Sequence, residues 1–195
     1  MRQRRTLVLG GVVGPLAFVA AWATAGASAD GYSTVQEAIS ELAAVDAPTR
    51  WLMTAGFGCF GAAVLAYSVA LRDALGGSAW VAAAVSGAAP VGAGVFALGA
   101  SSATDVVHGG FATVAYASLA LTPVLAAHRL SARGHEAAAT ASYIVGVLSA
   151  GCLVASAFVP IEGLMQRAGL TLAHAWIAAS ASAIVRGQRR SAACD

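Results

Sequence analysis

The chain predicts an all-α fold: a polytopic membrane helix bundle of six transmembrane helices, with a short interfacial helix in the first outer loop. Three observations carry this expectation. Hydrophobic residues fill 58% of 195 positions and charged residues only 10%, against roughly 25% charged in an ordinary soluble domain. Six mostly apolar windows come close to the ~20 residues that a membrane-spanning helix needs, near residues 7–26, 51–71, 79–100, 109–127, 138–159 and 164–185. The basic residues are all arginine, and they divide by side. With the N-terminus inside, Arg2, Arg4, Arg5, Arg72, Arg129, Arg133, Arg186, Arg189 and Arg190 fall inside, leaving Arg50 and Arg167 outside, as the positive-inside rule asks. Asp30, Glu37, Glu41, Asp46, Asp105 and Glu162 fall outside and make that face electronegative. Little chain remains beyond the spans. Residues 1–195 therefore read as one integral domain of the cell membrane, multi-pass, with both termini cytoplasmic.

The first span follows "MRQRR" and ends near "ASAD", a pattern that also suits a cleaved signal peptide. Retention is the expectation, because the apolar stretch exceeds a usual signal core and Gly10 and Gly14 form a G-x-x-x-G face for helix packing. The first outer loop is the long one. Within it Val35, Ile39 and Leu42 recur at i, i+4 and i+7 while Glu37 and Glu41 share another side, the pattern of a short amphipathic helix lying at the interface. Pro48 and Trp51 then mark the start of the second span, since tryptophan favours the headgroup level.

The second span carries a small-residue stripe of Thr54, Gly58 and Gly61, and the third places Ser86, Gly87, Gly92 and Gly94 around Pro90. In lipid such residues let helices approach closely, and compact packing alone accounts for nearly all of these glycines. Cys59 and Cys152 fall inside spans as small packing residues and Cys194 in the tail, so no disulfide framework or C-x-x-C site is expected. No nucleotide-binding loop, soluble catalytic domain or internal repeat is evident. Nucleic acid is not an expected partner.

Chemistry is sought among the polar residues that a bilayer discourages. Ser101, Asp105 and His108 stand at i, i+4 and i+7 at the outer end of the fourth span, with Tyr116 two turns on. Arg167, Thr171 and His174 repeat that spacing in the sixth. At ~1.5 Å per residue, His174 lies about 10 to 15 Å below the outer end, near the middle of a core ~30 Å thick. An ionisable group there is a functional hypothesis by default; the plain structural alternative is a neutral His174 satisfied by a neighbouring hydroxyl or carbonyl. His108 and His174 as haem ligands, or joined by Asp105 on zinc, lack any local ligand motif. No metal or cofactor is expected.

Beside these residues stands a resemblance. Gly14-Pro15, "YSTVQEAISELAA" followed by "RWLMTAGFGCFG", then "TDVVHGG" and "EGLMQRAG" resemble the bacterial and archaeal membrane proteins catalogued as domain of unknown function 998, more distantly the Frag/DRAM/Sfk membrane proteins. The resemblance covers most of the chain and implies six membrane helices; the link of some Frag/DRAM/Sfk proteins to lipid remodelling is analogy alone. Where the first family often has a Phe-Pro pair before the aspartate, this chain has "GASSATD".

The expected function is the binding or handling of a membrane lipid or small amphipathic ligand in a polar pocket open to the extracytoplasmic side. Glu41 and Trp51 would supply a lid, Asp105 and His108 one wall, Glu162, Arg167 and His174 the other. Glu41 would pin the lid through Arg167 or His108. The alternatives are a membrane-embedded enzyme, such as a lipid hydrolase, acyltransferase or cyclase, using Asp105 and His108 as an acid/base pair, and a small transporter or structural subunit.

Overall fold

The computed structural model describes residues 2–191, with side chains from Thr6 to Gln188. Cys194 and Asp195 lie outside the described residues, as do the side chains of Arg2, Arg4, Arg5, Arg189 and Arg190. Six α-helices alternate up and down: α1 Arg2–Ser28, α2 Arg50–Leu75, α3 Ala79–Val95, α4 Ser102–Ser131, α5 Glu136–Ala155 and α6 Glu162–Ser191. Each packs on its neighbours in sequence, and α6 returns to α1 to close the bundle. Five of the six are long and apolar enough to cross a membrane, and α3 is a shorter apolar helix of 17 residues.

The shortening of α3 has a local cause. The expected span ran to residue 100, but the backbone leaves the helix at Phe96 and turns through Gly99 at φ 82°, a left-handed conformation suited to glycine. Ser101 then caps α4, its hydroxyl accepting from the Thr104 N–H at 3.2 Å, so α4 starts well before the expected residue 109. Pro90 sits inside α3 without ending it.

Small residues set the helix spacing. A Cβ on Gly10 would lie 2.1 Å from the Ala63 carbonyl oxygen, so α1 rests directly on the α2 backbone. Gly61 and Gly87 face each other across α2 and α3 in the same way, but a Cβ on Gly58 would meet nothing within 4 Å. The expected stripe therefore breaks at Gly58. Cys59 is exposed on the bundle surface rather than packed inside.

The loop between α1 and α2 differs most from expectation. Instead of an amphipathic helix lying at the interface, it contains a five-residue 3-10 helix, Ile39–Ala43, which we call the plug. Ile39 and Leu42 are 2% and 1% exposed and pack against α1, α2 and α6, while Val35 is 42% exposed. Burying two such side chains contributes about 1.5–3 kcal/mol each relative to water, which favours a seated segment over a floating one.

Candidate functional site

The plug is held by α6. Arg167, only 7% exposed, donates through Nη1 to the carbonyls of Thr34 (2.8 Å), Glu37 (3.0 Å) and Gly163 (3.0 Å), and through Nη2 to the Tyr32 hydroxyl. Its guanidinium lies 5.2 Å from the Trp22 ring centre and 5.6 Å from that of Tyr32, within cation–π range. Tyr32 passes the order on by donating to the carbonyls of Ala38 (2.9 Å) and Glu37 (3.2 Å). Burial pushes the Tyr32 phenol above its ordinary pKa, with the Arg167 hydrogen bond and charge opposing that rise. A buried cation needs compensation, and here carbonyl dipoles supply it rather than a carboxylate.

The neighbours of Arg167 complete the clamp. A Cβ on Gly163 would lie 2.3 Å from the Glu37 carbonyl oxygen, so only glycine lets the loop descend this far. The Val35 carbonyl accepts from the Leu164 N–H at 3.0 Å. Gln166, 3% exposed, accepts from the Ile39 N–H at 2.7 Å and donates to the Tyr116 hydroxyl at 2.5 Å. One side chain thus joins the plug, α6 and α4.

Beneath the plug lies a chamber of about 50 Å³ among α1, α2, α3, α4 and α6, with Ile39 and Ser40 as its roof and His108, Tyr116 and His174 in its walls. That volume admits a few water molecules. The His174 ring is 4% exposed and sits 4.9 Å from the Phe60 ring and 5.6 Å edge-on from Phe18; its nitrogens have no hydrogen-bond partner among the described residues. His108 donates from Nδ1 to the carbonyls of Ala93 (3.0 Å) and Phe96 (2.9 Å). Both partners are acceptors only, so Nδ1 carries the proton, and the ring caps carbonyls that the end of α3 leaves without helical partners.

Outside the chamber, a lateral groove of about 780 Å³ runs between α4 and α5. Its length is lined by residues such as Ala117, Leu121, Val147 and Val154, while Ser40, Glu41, His108, Glu162 and Gln166 gather at the plug end. Ser40, His108, Ala112 and Tyr116 face both groove and chamber and form the partition between them.

The residues singled out from the sequence thus divide. Glu41, His108 and Glu162 meet at the groove mouth, and His108 and His174 share the chamber. Asp105 turns away: its Oδ1 accepts from the Gly99 N–H at 2.8 Å, so it fixes the α3–α4 turn and makes no hydrogen bond to His108. Trp51 is 74% exposed, with the Arg50 guanidinium 5.0 Å from its ring centre, and it faces outward rather than over the mouth. Arg167 is the pin of the loop, but through carbonyls and Tyr32. Glu41 is not its partner. Burial raises the Glu41 pKa, the Glu37 and Glu162 carboxylates raise it further, and His108 partly offsets them. Tyr32, Trp22 and the bridging role of Gln166 were not singled out, although an uncharged amide in an apolar helix beside Arg167 was a usable signal. Among the described residues, no group of three His, Cys, Asp or Glu side chains could hold a metal ion.

These features define a multi-pass integral membrane protein with a stapled first loop. The chain belongs to the DUF998 family, whose model, described as "Protein of unknown function", matches residues 12–183. Neither the curated proteins nor the solved structures contain a match to it.

Proposed function

We propose that the protein binds a lipid or small amphipathic molecule in the α4–α5 groove, with the apolar part along the helices and the polar head at the plug end. One observation carries this reading: along α4 and α5 the groove is lined mainly by apolar side chains, the Thr113 hydroxyl there being bonded to the Gly109 carbonyl, while Ser40, Glu41, Glu162 and Gln166 converge at one end, the arrangement that an amphiphile needs. The arginine distribution supports an extracytoplasmic position for that end. With the Arg167 guanidinium committed to carbonyls, the groove mouth favours a neutral or cationic head over an anionic one. The enzyme reading loses its dyad, because Asp105 and His108 bond to different backbone groups.

The test is native mass spectrometry of the protein extracted from its own membrane. A bound amphiphile is expected in the parent and is expected to be lost in Ala117→Trp, which fills the groove from an exposed position without touching the clamp. Retention of the same molecule by a folded Ala117→Trp variant would remove the groove from consideration.

A further inference from the structure

A second groove opens at the opposite, arginine-rich end of the bundle. It has a volume of about 1040 Å³ and lies between α5 and α6, with the last turns of α2 along one side. Below its rim the lining is apolar, including Leu71, Leu75, Val145, Leu172 and Ile184. The polar groups at depth are satisfied internally: Trp176 donates from Nε1 to the Ser142 hydroxyl at 2.8 Å, and the Tyr67 and Ser180 hydroxyls meet at 2.6 Å. Nothing in this lining asks for a polar head at depth.

The rim is different. Arg133 and His135 stand there with Asp73 and Gln188. Asp73 is already paired, its Oδ1 3.2 Å from Nη2 of Arg72. Arg133 donates from Nη1 to the Ala74 carbonyl (2.8 Å) and from Nη2 to the Leu75 carbonyl (2.7 Å). Those bonds fix the guanidinium at the end of α2 without neutralising it, since carbonyls are dipoles and not counter-charges. The rim therefore presents a positioned, exposed cation above an apolar trough.

We propose that this groove holds an anionic phospholipid, its acyl chains between α5 and α6 and its phosphate at Arg133 and His135. Basic pockets between membrane helices recognise anionic head groups in this manner. The site is independent of the α4–α5 groove, which lies at the other end of the bundle and whose mouth carries carboxylates.

The test uses full-length protein in mild detergent, with phosphatidylglycerol and phosphatidylcholine of identical chains at equal concentration, read by native mass spectrometry. Phosphatidylglycerol is expected to be retained in preference. Arg133→Gln should cut that preference about fivefold, the effect of one surface arginine, and Arg133→Lys should keep most of it. Ala179→Trp, at an exposed lining position, should reduce retention of both lipids while leaving Arg133 in place. Equal retention of the two lipids by the parent, or an unchanged preference in Arg133→Gln, would overturn the proposal. So would a dimer that Ala179→Trp dissociates, which would assign the groove to a second copy of the chain.

Discussion

Arg167 illustrates how much a single residue organises. Its hydrogen bonds to three carbonyls and one phenol imply that Arg167→Gln costs about 2–4 kcal/mol, because bonds to a charged donor are worth about 1.5–3 kcal/mol each and are not additive. Arg167→Lys should recover only part of this loss, since an ammonium lacks the planar fork. Thermal unfolding in detergent checks both. Glu41 yields a pH prediction with a definite sign. Its folded pKa lies above the ordinary 4.5, so its contribution to stability is fully present below that value and is lost as pH rises through the raised one. Proteolysis of residues 29–49 should therefore quicken with rising pH in the parent, and Glu41→Gln should flatten that profile. A parallel profile in the variant would mean that Glu41 does not control the loop. The importance of Arg167 was legible because a cation in an apolar helix is costly. Its partners were not, since carbonyls belong to every residue and leave no mark in the sequence.

At the scale of elements, the long apolar windows marked all six helices, but two ends and one loop escaped the sequence reading. Val35, Ile39 and Leu42 have helical spacing, yet the chain buries only the last two and winds a single 3-10 turn. Tertiary burial and the Gln166 bond to Ile39 outweighed the local pattern. Likewise, where the chain leaves α3 after Val95 and turns at Gly99, His108 from another helix bonds the Ala93 and Phe96 carbonyls, a partner that the local pattern does not show. The glycine pattern was half legible: small residues marked helix contacts, but only the backbone shows which of them touch. Gly10→Leu should destabilise the bundle by about 1–3 kcal/mol through overpacking on Ala63, whereas Gly58→Ala should be neutral or slightly stabilising. Melting temperatures of the two variants measure the contrast. Since α1 supplies Phe18 to the chamber and Trp22 to Arg167, the intact mass of the membrane-extracted protein should include it. An N-terminus at Asp30 would show that the mature bundle does without α1.

For the whole molecule, composition and arginine placement made the membrane class legible, while the grooves were not, because they arise from how side chains of several helices come together in space. The bundle places Arg72, Arg129, Arg133 and Arg186 at the ends of α2, α4 and α6 that lie together, and Arg50 and Arg167 at the other end. A reporter fused after Arg133 should therefore signal cytoplasm, and an extracytoplasmic signal there would invert both proposed sites. The clamp also sets an order of events during synthesis. Its bonds join residues 127 to 135 positions apart, so the first loop leaves the ribosome long before its partners exist. At about 5–20 residues per second, the loop waits on the order of ten seconds for the sixth helix. Until then its carbonyls and the Ile39 amide must be solvated by water or headgroups, and insertion of the last helix is the step that seals the plug end of the bundle.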